Sequence, residues 1–354
     1  MIKAMGKIEK RTYKYRYLSK ILESLNPQSL VDLLESSPVT LGWGINHVLE
    51  LNQHKVFLKR IPLTQLELEH QNSTKNLFDL PLFYQYGVGS AGFGAFRELH
   101  LNLKTTQWVL NKEIQSFPLL YHHRIVKKDD RCDHELKKKT QSYFDYWNND
   151  KNIKTYVKAR EDSDHELLLF LEYFPYTLKD WIGKHQVLLN HLTAQMRNTT
   201  NFLWDKKILH MDAHFSNIMS DGQDFYLTDF GLALDQSFDL GKDESIFLQN
   251  HKGYDFNEYL LCLSGLLLNS YSKLNESSKL FIKKEIGDFN DSSQNEVLFI
   301  LLTHVDNSRV FQRLGLDNTL VHVLKDNHRV ILNMAKFFND LRNDFGKRVK
   351  YNMP

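Results

Sequence analysis

The chain has 354 residues, a length that suggests two domains or one two-lobed unit. Its 42% hydrophobic and 25% charged residues are ordinary for a globular protein and exclude a disordered tail, a collagen-like fibre and a long coiled coil. The 45 Lys and Arg residues against 43 Asp and Glu leave a formal charge of +2, so the composition does not indicate a nucleic-acid-binding protein.

Two further features of composition concern the compartment. Cys132 and Cys262 are too few for a disulfide framework or a multi-cysteine zinc site, which favours a reducing cytosol. For an exported effector this would be the cytosol of a host cell. The longest apolar run, about residues 259–268, is shorter than the roughly 20 residues of a membrane span, so it predicts a buried helix and no transmembrane segment.

The first third of the chain changes from helical to β patterning. Residues 1–37 combine spaced Lys and Arg with apolar residues at helical spacing, which predicts a basic helical extension. Short β runs at 48–51 and 56–58 flank four polar residues and predict a hairpin. Residues 62–92 are largely polar and end in a glycine-containing stretch. A helix is predicted over about residues 95–114.

The remainder is predicted to be mainly helical. Strands are expected at residues 118–126 and 167–173. The charged stretch between them, 127–166, favours a solvated helical insertion over a binding site. From residue 177 onward helices dominate, apart from a β-like region at 207–229. The fold class predicted from these elements is α+β, with the strands concentrated in the first part.

The richest chemistry lies in two polar loops that apolar strand residues flank. His210, Asp212 and Asn217 follow the spacing His-x-Asp-x-x-x-x-Asn, and the tripeptide Asp229-Phe230-Gly231 comes shortly afterwards. Transfer of a phosphoryl group to a hydroxyl requires positioning of that hydroxyl and metal ions to neutralise charge. Asp212 can accept the hydroxyl proton, and Asn217 and Asp229 offer the hard oxygen ligands that suit Mg²⁺. Capping side chains in an ordinary loop are the alternative.

These two loops resemble those of the protein-kinase-like superfamily, which includes eukaryotic-type protein kinases and aminoglycoside or choline kinases. The resemblance implies ATP and Mg²⁺ as cofactors, Asp212 as catalytic base, and Asn217 and Asp229 as metal ligands. It also implies a bilobal fold with a β-rich N-lobe, a mainly α-helical C-lobe and an ATP cleft between them.

The resemblance divides the chain into three parts. Residues 1–37 form the N-terminal extension, and residues 38–174 form the N-lobe, with insertions at 62–92 and 127–166. Residues 175–354 form the C-lobe with its helical C-terminal part. The matching motifs cover about residues 39–270.

The remaining motifs of the superfamily are matched upstream, in order. Gly42, Gly44 and Val48 resemble the glycine-rich loop that covers the phosphates, although His47 stands where the third glycine would fall. Lys59 ends an apolar strand that resembles the Val-Ala-Ile-Lys strand, where it would contact the α- and β-phosphates. Arg60, on the opposite face, is the competing candidate.

The superfamily pairs this lysine with a glutamate on the main helix of the N-lobe. Glu98 is the chosen partner, with Glu67, Glu69 and Glu113 as competitors. The spacing from Lys59 to Glu98 exceeds that of the family, so residues 62–92 would be an insertion.

Two more segments match by position. Leu171 would be the gatekeeper of the hinge, and the backbone around Glu172 to Phe174 would bind adenine. Asp255 resembles the aspartate that anchors the catalytic loop, with a plain helix N-cap as the alternative.

Three departures from the pattern bear on regulation and substrate. Met211 replaces the arginine that in many protein kinases pairs with a phosphorylated activation loop, so activity is expected without such phosphorylation. His214 stands where protein kinases usually have Lys, and it would either donate to the γ-phosphate or order the loop. The segment between Gly231 and Asp255 is short and has no Ala-Pro-Glu, which puts a conventional peptide groove in doubt.

Three classes of function remain open. The favoured one is an atypical Ser/Thr protein kinase, and the second is a small-molecule or lipid kinase acting on an aminoglycoside-like or phosphoinositide substrate. A pseudokinase scaffold is disfavoured because Lys59, Asp212, Asn217 and Asp229 are all present, and transfer of AMP is a related enzymatic variant. The Lys-rich regions at 1–20 and 127–160 could contact an acidic partner, an anionic membrane or an inositol phosphate, with a solvated surface as the alternative.

Overall fold

The chain is an α+β protein in which helix exceeds strand. The structure, a computed structural model, describes residues 5–41, 45–128, 139–182, 189–290, 292–344 and 346–352. Within these ranges a five-stranded sheet occupies the first half of the chain, and the second half contains mostly helices with two- and three-stranded ribbons.

The five-stranded sheet is antiparallel throughout and has the order β1-β2-β3-β5-β4. Asn52 and Gln53, at φ 48° and 66°, make the tight turn between β2 and β3, in the left-handed backbone typical of two-residue hairpins. The predicted hairpin is therefore confirmed, although its strands are longer and its turn shorter than the sequence suggested. The strands are β1 (Val39–Leu41), β2 (Ile45–Leu51), β3 (His54–Leu63), β4 (Leu120–Lys127) and β5 (His165–Glu172).

Helix α4 (Ala95–Leu110) packs on one face of this sheet. Phe96 and Leu99 of the helix share a buried cluster with Leu169 and Leu171 of β5. The helix is shorter than the predicted 95–114 because Asn111 caps it and Lys112 adopts a left-handed φ of 63°. Between β3 and α4 lie a short helix, α3 (Gln65–Glu69), and a 3-10 helix (Leu82–Tyr86).

The predicted N-terminal extension covers the opposite face of the sheet. It consists of α1 (Lys7–Ser24) and α2 (Pro27–Glu35). Leu18 and Leu22 are fully buried in the cluster that includes Val56 and Leu58 of β3. Since side chains alternate along a strand, Phe57 and Lys59 lie on the α4 side. The extension is thus part of the sheet's hydrophobic core.

The prediction of a solvated insertion over residues 127–166 needs correction. Its helices are α5 (Gln141–Tyr146) and α6 (Lys151–Glu161), while residues 129–138 lie outside the described ranges. Trp147, Ile153 and Tyr156 are at most 1% exposed. They pack in a cluster with Tyr84 and with Met334 and Phe337 of helix α14 (Asn318–Asn343), so one face of this charged stretch belongs to the core.

The second half of the chain is mainly helical, with the predicted β-like region between α8 and α9. Helix α10 contains the apolar run at 259–268 and is buried on one side, as expected. Among the described residues no helix is long and apolar enough to cross a membrane. The elements are β6 (Tyr176–Thr177), α7 (Leu178–Ile182), α8 (Leu189–Asp205), β7 (Ile208–Leu209), β8 (Ile218–Ser220), β9 (Phe225–Leu227), β10 (Leu234–Asp235), α9 (Lys242–Asn250), α10 (Tyr254–Ser272), α11 (Glu276–Ile286), α12 (Gln294–Thr303), α13 (Ser308–Leu314) and α14 (Asn318–Asn343).

Candidate functional site

Lys59 is the centre of an ion-paired triad. Its Nζ lies 2.6 Å from Oε1 of Glu98 and 2.7 Å from Oδ1 of Asp229. Burial raises the pKa of Glu98, although the Lys59 ammonium opposes this shift. For Asp229 burial acts in the same direction, but Lys59 outweighs it and the pKa lies below its ordinary value. The triad brings β3, α4 and the Asp-Phe-Gly tripeptide together.

The structure selects Glu98 among the four candidate partners of Lys59. Glu67 instead caps α3, and its Oε1 accepts the Ala95 N–H at 2.8 Å, which fixes the start of α4. Glu69 accepts a hydrogen bond from the Gln65 side chain, and Glu113 forms an ion pair with Lys206. Neither glutamate is the partner of Lys59.

Arg60, the competitor of Lys59, points to the other side of β3. Its Nε donates to the buried carboxylate of Glu166 at 2.8 Å. A buried arginine held by a carboxylate in this way has a structural role, which leaves Lys59 as the cation of the triad.

The catalytic-loop candidate residues are held by Asp255. Its two carboxylate oxygens accept the backbone N–H groups of His210 and Met211, both at 2.8 Å. Met211 adopts a left-handed φ of 65°, a strained conformation for a non-glycine residue that this pair of hydrogen bonds supports. The N-cap position of α10 is occupied by Gly253, so Asp255 is the loop anchor and the plain N-cap alternative is wrong.

Asp212 lies just beyond this anchor, with its carboxylate in a partly buried position. Asn217 Nδ2 donates to its Oδ2 at 2.8 Å and to its backbone oxygen at 3.0 Å. His214 Nε2 is 3.5 Å from its Oδ1. Burial is the main reason that the pKa of Asp212 rises to about 6; His214 opposes the shift and Asp229 adds to it. A carboxylate with this pKa is still ionised at neutral pH and is a stronger base than an exposed one.

Of the two predicted roles of His214, the structure shows the ordering of the loop. Its Nδ1 accepts the Ser216 N–H at 3.1 Å, which orders the loop, while Nε2 faces Asp212.

The Asp-Phe-Gly tripeptide is packed against the same loop. Phe230 is fully buried between His210 and Phe117, with ring centroids 5.1 Å and 6.0 Å away. A Cβ atom on Gly231 would stand 3.4 Å from both Asp229 Oδ1 and Glu98 Oε2. Gly231 thus lies in close contact with the carboxylates of the triad.

The donor set at Asn217 and Asp229 fits a magnesium ion that arrives with a nucleotide. The Thr228 N–H donates to the Asn217 backbone oxygen at 2.9 Å, which ties the two residues together. The Asn217 amide nitrogen is used by Asp212, and Lys59 contacts only Oδ1 of Asp229, so one oxygen of each side chain remains for a metal. In the described part of the chain no three His, Cys, Asp or Glu residues cluster as a metal cage. Mg²⁺ in nucleotide sites needs only one or two carboxylates, together with phosphates and water.

The hinge candidates Leu171, Glu172 and Phe174 line the same cavity as Lys59 and Asp212. The predicted hydrogen bond to adenine needs one correction. The Glu172 N–H already donates to the Leu119 carbonyl at 2.8 Å, so this donor is not free for adenine. The Glu172 side chain accepts two hydrogen bonds from Arg11 of α1, an ion pair in which each side chain is 7% exposed. Sequence reasoning missed this contact, since nothing local relates residues 11 and 172.

The glycine-rich loop candidates are described only in part. Gly42 and Gly44 lie outside the described residues. Val48 of β2 lies opposite Phe57 of β3. Two residues away along the same strands, Asn46 lies opposite Lys59. These positions share one face of the sheet, and Asn46, Phe57 and Lys59 line the cavity there.

A second glycine-containing segment, residues 84–94, also belongs to the site. A Cβ on Gly87 would come within 3.2 Å of Asp212 Oδ1, and one on Gly92 within 2.7 Å of the Gly231 oxygen. The Phe93 N–H donates to that same oxygen at 3.1 Å, and Gln85 Nε2 donates to the Leu232 carbonyl. The sequence signal was the density of glycines, which was noted but given no role in the site.

The triad, the loop and this segment surround one cavity of about 1270 Å³. A pocket for a single small molecule typically measures roughly 300–1,000 Å³, so this cavity is larger than a typical single-ligand pocket. No protein-family model matches the chain, and no curated protein matches it in sequence.

Proposed function

We propose that the chain is an ATP- and Mg²⁺-dependent phosphotransferase that acts on a hydroxyl group. The observation that carries this proposal is the meeting of Lys59, Glu98 and Asp229 on the cavity that Asp212 and Asn217 also line. In this reading the sheet with α4 is the N-lobe of a bilobal kinase-like fold, and the helices after residue 175 are its C-lobe.

Each residue then has a distinct part in the reaction. Lys59, oriented by Glu98, would hold the α- and β-phosphates. Asn217 and Asp229 would hold Mg²⁺, which neutralises the phosphate charge when it is bound. Asp212 would orient the acceptor hydroxyl and accept its proton as the bond to phosphorus forms.

The acceptor that we favour is a protein Ser or Thr hydroxyl, bound in an atypical way. The tripeptide Asp229-Phe230-Gly231 and the strand that carries Lys59 support this choice. The chain between Gly231 and Asp255 is short and contains α9, so the substrate would not use a conventional peptide groove.

A small-molecule or lipid acceptor is the second candidate, and one observation favours it. Segment 84–94 lies directly against Asp212 and Gly231 and narrows the approach to the base. A slender acceptor passes such a constriction more easily than an extended peptide.

Labelling with γ-³²P-ATP, Mg²⁺ and a cell lysate tests the proposal and separates the acceptors. We expect labelled protein bands with the natural chain and none with Asp212→Ala. Label found only in small molecules or lipids would support the second candidate. A natural chain that binds no nucleotide would contradict both.

Metal dependence gives an independent check on Asp229. We expect Asp229→Ala to lose Mg²⁺-dependent ATP binding, measured by calorimetry with and without the metal. Unchanged binding in this variant would argue against the proposed site.

A further inference from the structure

The 84–94 segment, which forms one wall of the cavity, is attached through Tyr86 to a distant part of the chain. Tyr86 is buried and directly precedes Gly87, the residue that lies against the proposed base. The Tyr86 hydroxyl oxygen lies 2.9 Å from Nε2 of His251 in α9, and it accepts the backbone N–H of Tyr351 at 3.1 Å. The proposed phosphotransfer gives no role to either contact.

The direction of these hydrogen bonds follows from His251. Its Nδ1 lies 2.6 Å from the Phe247 carbonyl oxygen, which can only accept, so Nδ1 carries a proton. Burial lowers the pKa of His251 to about 4, although the hydrogen bond to Phe247 opposes this shift, so the ring is neutral at physiological pH. Nε2 then accepts the Tyr86 proton, and the Tyr86 oxygen accepts the N–H of Tyr351. The hydroxyl of Tyr86 therefore joins α9 to Tyr351.

Tyr351 is itself fixed by its ring and its hydroxyl. The hydroxyl accepts a hydrogen bond from Asn257 Nδ2 of α10 at 2.8 Å. The ring centroid lies within 5.6 Å of three aromatic rings from α9, α10 and α14, namely His251, Tyr254 and Phe337. The backbone N–H of Tyr351 is therefore presented to Tyr86 from a segment, 346–352, that three helices hold.

The wall that this contact holds contains strained backbone. Val88 adopts φ 44°, an outlier for a β-branched residue, and the glycines on either side of it have φ 73° and 92°. Such conformations persist only where the surrounding contacts over-determine them. Tyr86 anchors the end of the wall that meets the base, while the hydrogen bond from Phe93 anchors the other end. A displacement of Tyr86 should therefore move the turn at residues 87–89.

We propose that Tyr86 is a positioning residue for Asp212, and that segment 346–352 clamps it in place through Tyr351. The inference rests on the proposed function, in which Asp212 is the base. With Tyr86 fixed, Gly87 stays against the base carboxylate and keeps it directed at the acceptor hydroxyl. Without the clamp the wall moves away from the carboxylate, which can then turn from the acceptor.

Hydrogen–deuterium exchange of the full chain, read by mass spectrometry, tests the clamp without reference to activity. Tyr86→Phe keeps the ring but loses both hydrogen bonds, and Tyr351→Ala keeps the backbone N–H but loses the ring that presents it. Because buried polar groups then lack partners, we expect the amides of residues 84–94 to exchange about tenfold faster in both variants. Tyr226→Phe is the matched control: it loses a hydroxyl that donates to Asp221 at 2.8 Å in a buried residue elsewhere, and exchange in 84–94 should not change.

Two results of this experiment would overturn the clamp. Unchanged exchange of residues 84–94 in Tyr86→Phe would show that the contact holds nothing. A rise of equal size in helix α8 would show that the whole fold is weakened. Tyr86→Phe removes a single oxygen atom, so it gives the answer even where Tyr351→Ala fails to fold.

Initial rates of label transfer from γ-³²P-ATP to a cell lysate test the effect on the base. We expect Tyr86→Phe to transfer label about tenfold more slowly, with ATP affinity unchanged by calorimetry, because the residues proposed to hold the phosphates lie on other segments. Faster exchange with an unchanged rate would contradict the positioning role, and so would a parallel loss of ATP affinity. If the natural chain transfers no label, the proposed function fails, while the exchange data still decide the clamp.

Discussion

Gly87 lies against Asp212 so closely that a single Cβ atom at residue 87 would come within 3.2 Å of the Asp212 Oδ1. Gly87 is also in a left-handed backbone with φ 73°. Two physical constraints thus meet at one residue, and they connect the segment between α3 and α4 to the proposed base.

Gly87→Ala should therefore reduce turnover more than it reduces stability. The combination of φ 73° and ψ −115° at this residue is strained for any residue except glycine and costs an alanine roughly 1–3 kcal/mol, and the added methyl group displaces the base. We expect kcat to fall by about tenfold or more, since each 1.36 kcal/mol of barrier is tenfold in rate, with nucleotide affinity nearly unchanged. Gly287→Ala has a similar φ of 94° but nothing within 4 Å of its Cβ, and it should keep full activity. Equal loss in both variants would show that strain alone matters.

Lys59→Met should abolish productive nucleotide binding. It leaves the buried Glu98 carboxylate without its cation, and removal of one partner of such a pair costs about 3–5 kcal/mol. Phosphotransfer and ATP affinity, measured by label transfer and calorimetry, are expected to fall together by about two orders of magnitude or more. Lys127→Met, at the exposed end of β4, controls for loss of a lysine from the same sheet. Retained ATP affinity in Lys59→Met would contradict the proposed role.

The pH dependence should report the raised pKa of Asp212. Because burial moves this pKa from 3.8 to about 6, the carboxylate becomes protonated as the pH falls through 6. The profile of kcat/KM, which reports the free enzyme, should be half-maximal near pH 6 and roughly tenfold lower near pH 5. A profile that stays flat down to pH 4.5 would mean that Asp212 is not the base.

Activity should not depend on phosphorylation of the segment after Gly231. Phe93 and Gln85 hydrogen-bond Gly231 and Leu232 from the 84–94 segment, so this part of the chain is held by its own fold. Protein treated with a phosphatase, with complete dephosphorylation checked by mass spectrometry, should transfer label at an unchanged rate. Loss of activity that returns on incubation with ATP would refute this prediction.

Arg11→Ala should destabilise the protein. It removes the cation of a buried pair and leaves Glu172 uncompensated, at an expected loss of about 3–5 kcal/mol in the free energy of unfolding. Chemical denaturation measures this loss. Lys10→Ala, an exposed neighbour on α1, should stay within about 0.5 kcal/mol of the natural chain. If both variants unfold at the same denaturant concentration, the pair contributes nothing.

The contacts that the sequence predicted best are those within short polar loops. Asp212 and Asn217 are five residues apart, so their spacing alone indicated a shared site. Glu98 was selected across 39 residues because it lies near the start of a helix that was already predicted. Both pairs could be recognised from the local sequence, because residue spacing, the apolar strand and the start of a helix each leave a pattern there.

The features that sequence reasoning missed depend on contacts between distant segments. Arg11 reaches Glu172, and Gly87 reaches Asp212, although neither pair has any local pattern that relates its members. The buried face of residues 141–161 was missed because charged residues are frequent across the whole stretch 127–166, while a few aromatic residues decide the packing. The burial of a side chain depends on which distant segments pack against it, so the overall charge of a stretch predicts its burial poorly.

The position of Arg11 has a practical consequence for where the chain can be divided. The motifs begin near residue 39, and a fragment cut there would retain Lys59, Asp212 and Asp229. Such a fragment would also expose the apolar face of the sheet that Leu18 and Leu22 cover, and it would leave the buried carboxylate of Glu172 without the cation of Arg11. The smallest unit able to fold is therefore larger than the smallest unit that carries the chemistry.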